Sequence, residues 1–111
     1  MIYELPSALI MVVGEDHKII HSSIGWEMLL GFTKEELKGE IFTKFIHPDD
    51  VEITMGKAIE VHTGLTESNF ENRYVHKDGS YRTLSWSASV NVETGDRYGC
   101  AIDITERKKN L

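Results

Sequence analysis

Apolar and polar positions along the chain change period several times, and each change marks an element. ALIMVV (8–13) is an unbroken apolar run rich in branched side chains and predicts a buried strand. Gly14-Glu15-Asp16 reads as a turn and HKIIH (17–21) as a second strand. Ser22 and Ser23 offer an N-cap to IGWEMLL (24–30), a short helix closed by Gly31. In FTKEELKG, Thr33 and Glu36 have capping-box spacing, and Phe32 and Leu37 are placed for a hydrophobic staple. Gly39 suits the left-handed position that follows. So short a helix does not hold itself in water, so packing must pin it. IFTKFI (41–46) predicts another helical turn.

HPDD then opens the longest helix. Pro48 suits the first helical position, and Asp49 and Asp50 complement the helix dipole. Val51, Met55, Ile59 and His62 recur at helical spacing and predict the inward face; Gly64 ends the helix. Three strands follow, at 68–76, 80–92 and 97–105, with ETGD (93–96) turning between the last two. The terminal ITERKKNL is polar with helix-forming character. Two strands, short helices, one longer helix and three strands predict an α+β fold, an antiparallel sheet covered on one face.

The hairpin YVHKDGSYRTLSW (74–86) has two readings. A two-residue turn at Asp78-Gly79 pairs Arg73 with Leu84 and Glu71 with Trp86, setting charges beside apolar residues. A three-residue loop, Lys77-Asp78-Gly79, pairs Tyr74 with Arg82, Asn72 with Leu84 and Phe70 with Trp86. Then Phe70, Tyr74, Leu84, Trp86, Ala88 and Val90 share one face, and Glu71 and Arg73 point outward. A buried face sets register, which favours the second reading. It leaves Asn72 and His76 inside. His76 is near the sheet end and reaches water, but Asn72 is central and needs a partner.

Composition narrows the function. A chain of 111 residues suits one domain, and its net charge of −6 argues against nucleic acid as a partner. No apolar run approaches the ~20 residues of a membrane span, and the first residues lack the pattern of a signal peptide. Cys100 stands alone, so no internal disulfide forms. These features predict a cytoplasmic domain, either free or as the cytoplasmic part of a membrane-bound sensor.

The run FENRYVHKDGSYRTLSW followed after a gap by DITERKK resembles a PAS domain with its C-terminal PAC region. WEMLLGFTKEELKGE and FIHPDD resemble the first half of the same family. The resemblance covers roughly residues 7–109, and the order and spacing of these motifs carry it. It implies a five-stranded antiparallel sheet, its first strands central and its edges drawn from both halves. Short helices and one longer helix would cover one face and enclose a core that sometimes holds a ligand. It further implies a regulatory module of a bacterial signal-transduction protein, a histidine kinase of a two-component system or a diguanylate cyclase. Such a module is itself non-catalytic. It would pair as a homodimer and drive a C-terminal output domain of the same chain, without membrane contact of its own. Residues 1–106 would form the PAS/PAC domain, and 107–111 would start the output linker helix. Asp103, Ile104 and Thr105 would transmit the signal. Many relatives carry Asn where Ser23 stands, so a ligand contact made by that Asn does not carry over. The flavin-photoreceptor motif GXNCRFLQ is absent, and adduct chemistry is unsupported.

Met55, His62, Asn72, Tyr74, Trp86 and Cys100 are the candidate ligand-binding residues. Each also has a plainer role. His62 closes the inward stripe of the helix that supplies the iron ligand in haem-binding relatives, but a histidine also suits a helix C-terminus. Met55, Tyr74, Trp86 and Cys100 serve equally as inward-pointing core. The sequence therefore names no cofactor. His47, Asp49 and Asp50 offer a metal reading, that of a small hydrolase, but no further ligands converge and helix-start chemistry accounts for all of HPDD. No nucleophile–base pair or phosphate loop is present. Asp103 and Glu106 have capping-box spacing, which suits a capped joint into the exit helix. The alternative to a sensor is a ligand-free dimerisation scaffold in which Ile2, Tyr3 and Leu5 pack on a partner's sheet. The exit segment ERKKNL favours the sensor, since it leads out of the domain.

Overall fold

The computed structural model describes residues 8–109. Ile2, Tyr3 and Leu5, the scaffold's proposed contact residues, lie outside them. The elements are β1 (Leu9–Val13), β2 (Ile19–Ser22), α1 (Gly25–Leu30), α2 (Lys34–Leu37), two 3-10 turns (Phe42–Phe45 and Pro48–Asp50), α3 (Val51–His62), β3 (Glu67–Val75), β4 (Tyr81–Val90), β5 (Arg97–Asp103) and α4 (Thr105–Lys109). The strands make one antiparallel sheet in the order β2-β1-β5-β4-β3. This is the α+β architecture the sequence predicts, with edges from both halves.

The centre, however, is β5, and β2 lies at an edge rather than beside β1 in the middle. The segment after α2 covers that edge. Ile19 N donates to the Glu40 carbonyl at 2.9 Å, and Gly39 N donates to the Ile19 carbonyl at 2.8 Å. These bonds close the edge at Ile19, where another chain would otherwise find free backbone groups.

Local chemistry explains the short elements. Thr33 Oγ1 accepts from Glu36 N at 3.1 Å, and Thr33 N donates to Glu36 Oε1 at 2.9 Å, completing the capping box. Lys77 Nζ donates to Glu36 Oε2 at 2.8 Å, which ties α2 to the β3–β4 loop, and Leu37 is buried beneath. Ser23 acts otherwise than expected. Its hydroxyl donates to the Ala8 carbonyl at 2.6 Å and accepts from Ile10 N at 2.9 Å, so it fastens α1 to β1. The N-cap of α1 is Ile24, without a side-chain bond.

The hairpin adopts the three-residue loop. Phe70 pairs with Trp86, Asn72 with Leu84, Tyr74 with Arg82 and Val75 with Tyr81. His76 N donates to the Ser80 carbonyl at 2.7 Å, and Gly79 is left-handed at φ +94°. Farther along β3 a bulge between Glu67 and Phe70 places Asn69 in the left-handed region.

The inner face packs Leu9, Met11, Trp26, Leu30, Phe42, Phe45, Tyr74, Leu84 and Ala101 into one core. Along β5 the residues alternate. Arg97, Gly99 and Ala101 are inward, while Tyr98, Cys100 and Ile102 are exposed on the outer face.

The inward face of α3 differs from the expected stripe. Thr54 and Val61 are buried, with Val51, Met55 and Ala58 half-buried, whereas Ile59 is 53% exposed and His62 faces outward. Small residues at 54 and 58 let the helix lie close to the sheet. Large ones would hold it off.

Candidate functional site

α3 and the inner face of the sheet border a half-open cavity of about 90 Å³. Met11 and Val13 of β1, Phe42, Phe70, Trp86 and Ala88 give it an apolar wall, and Thr54, Lys57, Ala58 and Val61 of α3 roof it. Asn72, Tyr74, Arg97, Tyr98 and Gly99 complete the lining. A concave, largely apolar space with few polar groups is the usual form of a small-molecule site.

Three aromatic rings cluster at one side of the cavity, and two of them, Tyr74 and Trp86, line it. Trp26 stacks on Trp86 at 5.5 Å between centroids, and Tyr74 lies 5.7 Å from Trp26 and 5.6 Å from Trp86. Trp26 is fully buried, and its indole N–H donates to the Ile10 carbonyl at 2.9 Å. Burial pushes the Tyr74 phenol well above its ordinary pKa, so it stays neutral. Gly99 lies beneath the Trp86 ring. A Cβ there would sit 2.8 Å from Trp86 Cζ3.

Asn72 is buried and held by two side chains. Its Oδ1 accepts from Trp86 Nε1 at 2.7 Å, and its Nδ2 donates to Thr54 Oγ1 at 3.3 Å. Its oxygen and its nitrogen thus each have a side-chain partner. The residue bridges the sheet and α3.

Of the six ligand-binding candidates, Asn72, Tyr74 and Trp86 line the cavity. Met55 packs against the core instead. Cys100 is exposed on the outer face, a correction of its expected inward direction. Its in-register neighbours on β1 and β4 are Ile10 and Ser87, whereas Gly99 and Ala101 take the inner positions. His62 is likewise corrected. Its side chain is 42% exposed, and Nε2 lies 3.9 Å from Glu15 Oε1, off the cavity. Residues one turn apart share a helix face, and the buried side of α3 runs through Thr54 and Val61.

Arg97 is the residue that sequence reasoning missed. It is 5% exposed, and Nη1 donates to the Ala58 carbonyl at 3.1 Å. Nη2 donates to the Gly14 carbonyl at 2.9 Å and lies 2.7 Å from His17 Nδ1. An arginine only donates, so Nδ1 accepts and His17 is neutral there. Burial first, then the Arg97 charge, holds the His17 pKa down. Counting back from Ala101 by twos marks Arg97 as inward, but a charged side chain carries no hydrophobic signal.

The HPDD residues serve the helix start. His47 Nδ1 accepts from Asp49 N at 3.0 Å. Asp50 takes Arg73 side-on, with Nε at 3.0 Å and Nη2 at 2.8 Å, and also accepts Arg73 N at 2.8 Å. The Arg73 hydrogen bonds hold the Asp50 carboxyl below its ordinary pKa. Among the described residues no group of three His, Cys, Asp or Glu side chains is placed to hold a metal.

At the sheet's other end, Asp103 joins β5 to α4. Arg82 Nη2 donates to Asp103 Oδ2. Asp103 Oδ1 accepts from Thr105 N at 3.1 Å and from the Thr105 hydroxyl at 2.6 Å. Thr105 Oγ1 in turn accepts from Thr83 N at 2.8 Å, and Ile104 N donates to the Thr83 carbonyl at 2.8 Å. Lys108 on α4 pairs with Glu71 on β3 at 2.9 Å. The expected capping box is therefore replaced by an Asp103–Thr105 turn locked to β4, while Glu106 pairs with Lys109 at 3.8 Å.

The sequence profile of one family, described as the PAS fold, matches residues 19–101. No curated protein matches the chain. Among solved structures, the PAS domain of a Colwellia psychrerythraea protein is 26% identical, with a TM-score of 0.79 over 90% of this chain and 88% of that one. The N-terminal domain of a diguanylate cyclase with PAS/PAC sensor from Marinobacter aquaeolei is 20% identical, with a TM-score of 0.78 over 91% and 98%. A domain of a sensory box sensor histidine kinase/response regulator from Geobacter sulfurreducens is 16% identical, with a TM-score of 0.80 over 92% and 88%.

Proposed function

The chain belongs to the PAS fold family, and from that premise we propose that it is the sensory module of a larger signalling protein. In this reading a small molecule enters the cavity beneath α3 and biases the arrangement of α3 against the sheet. The sheet passes that bias to α4 through Arg82, Asp103, Ile104 and Thr105. The observation that carries the proposal is the connection of the two ends. The cavity is lined by β4 residues Trp86 and Ala88, and the same strand holds Asp103 and Thr105 through Arg82 and Thr83. A ligand shifts such an equilibrium only by binding two arrangements unequally.

The domain itself then performs no catalysis, and the reaction belongs to a C-terminal output domain, a histidine kinase or a diguanylate cyclase. Two of the similar solved domains come from proteins of these kinds, which supports that choice. Among the described residues no helix is long and apolar enough to cross a membrane, in keeping with a cytoplasmic position. Native mass spectrometry of freshly purified protein, with an absorption spectrum, tests the sensor. A retained mass or visible absorbance supports it. A parent protein whose activity is indifferent to deletion of this domain under every condition tried defeats it.

A second reading is a ligand-free dimerisation scaffold. The outer face of β5 favours it, with Tyr98 42% and Ile102 64% exposed beside Cys100. Sedimentation decides this: a strict monomer at high concentration removes it.

A further inference from the structure

The cavity beneath α3 is lined by charge of one sign. Among the described residues, Lys57 and Arg97 are the only charged ones that line it, and no aspartate or glutamate does, in a chain of net charge −6. Lys57 has Glu60 on the same helix at 3.6 Å. Arg97 is differently placed. Arg73 and Arg82 each face an aspartate, but the acceptors around Arg97 are two carbonyls and a neutral imidazole. Its Nε–H is buried without a partner among the described residues. Burial lowers its pKa, and the Asp16 charge opposes this only as a smaller effect. A cation removed from water stays costly until an anion reaches it.

Resting on the sensory reading of this cavity, we propose that the ligand is a small organic monocarboxylate and that its carboxylate is the counter-ion of Arg97. Three observations define the class. The apolar walls given by Met11, Phe42, Trp86 and Ala88 require an uncharged hydrocarbon body. The volume of about 90 Å³ suits a short chain as that body. Asn72 has both ends engaged with Trp86 and Thr54, and Lys57 has Glu60 beside it, so Arg97 serves as the polar anchor. A zwitterionic amino acid is disfavoured, because among the described lining residues its ammonium group would meet two cations and no carboxylate.

The test is a titration of the full chain with sodium butyrate, butyramide and γ-aminobutyrate at matched ionic strength. Amide resonances and melting temperature are followed together. Butyrate should shift the amides of Ala58, Arg97 and Gly99 and raise the melting temperature. Butyramide and γ-aminobutyrate should bind at least tenfold more weakly. Arg97→Met should bring the affinity for butyrate down to that for butyramide. If butyrate and butyramide bind equally well, the anion assignment fails while the cavity remains a receptor. If none of the three binds, the monocarboxylate assignment fails, and the sensory reading is decided separately by native mass spectrometry and by deletion of the domain. Should Arg97→Met not fold, the comparison of butyrate with butyramide on the unaltered chain decides alone.

Discussion

Trp86 donates its indole N–H to Asn72 Oδ1 at 2.7 Å, a diagonal contact across the β3–β4 ladder, while Asn72 Nδ2 reaches Thr54 on α3 at 3.3 Å. One amide thus links the sheet to the helix over the cavity. Diagonal neighbours on a sheet face lie within reach of aromatic side chains, which is why Trp86 serves here.

Removing the donor should be costly. Trp86→Phe keeps a ring near Trp26 and Tyr74 but leaves Asn72 Oδ1 buried without its partner. A loss of about 1–3 kcal/mol is expected. The cycle with Asn72→Leu isolates the bond: the double variant should be less destabilised than the sum of the singles. Additive losses in urea unfolding would show that the contact carries no coupling.

Gly99 is required by that same tryptophan. A Cβ at this position would stand 2.8 Å from Trp86 Cζ3 and 3.0 Å from Cε3. Gly99→Ala should therefore push the ring off the sheet and into the cavity, at about 1–3 kcal/mol for overpacking. Combining it with Trp86→Leu, which removes the ring, should cancel most of the steric part. Thermal unfolding of the three variants measures this.

The hairpin register and the misread helix face show what the sequence pattern carries. Tyr74, Leu84 and Trp86 alternate with polar residues, so only one register buries them together, and the Lys77-Asp78-Gly79 loop follows. In α3 the branched and apolar residues Val51, Ile53, Met55, Ile59 and Val61 surround the helix, so periodicity selects no face. The choice falls to Thr54 and Ala58, whose small size permits close approach but leaves little apolar signal. In β5 the inward positions are Arg97 and Gly99, which carry none, while Tyr98, Cys100 and Ile102 look like core and face out. The ligand candidates read from hydrophobicity therefore included Cys100 and missed Arg97. The Asp103–Thr105 joint was placed by motif, but its partner Arg82 lies on another strand and needs the fold.

His17 gives the fold a pH dependence of definite sign. The residue is left-handed at φ +68°, and its Nδ1 accepts from Arg97, so protonation would set two cations together. Its pKa lies below the ordinary 6.5 through burial first and Arg97 second, with His62 adding and Asp16 opposing. In the window just below pH 6.5 the unfolded chain binds more protons, so stability falls as pH is lowered. The contribution is whole above that value and is lost as pH falls through the lower folded value. Asp50, Asp78 and Asp103 also have lowered pKa values, but their contributions are lost only below their ordinary 3.8. His17→Asn tolerates the left-handed backbone and does not titrate. Urea midpoints at about pH 7.5 and about pH 5.5 should differ in the native chain and differ less in this variant.

The exit joint predicts a local effect separable from global stability. Asp103 is pushed up by burial, but hydrogen bonds from Arg82 and Thr105 outweigh this and hold its carboxyl below the ordinary range. Asp103→Asn keeps an oxygen for Thr105 but removes the charge that meets Arg82, whose Nε is already buried without a partner among the described residues. A charge-assisted bond of this kind contributes about 1.5–3 kcal/mol. The loss should concentrate in α4, because Thr105 and Lys108 are the points at which that helix meets β4 and β3. Amide exchange at Lys108, whose N–H bonds to the Ile104 carbonyl at 3.0 Å, should therefore quicken about tenfold. Exchange at Tyr74 and Leu84 in the core should change far less. Uniform acceleration across the domain would mean that Asp103 supports the fold as a whole. Acceleration confined to α4 identifies the aspartate as the residue that couples the sheet to the exit helix.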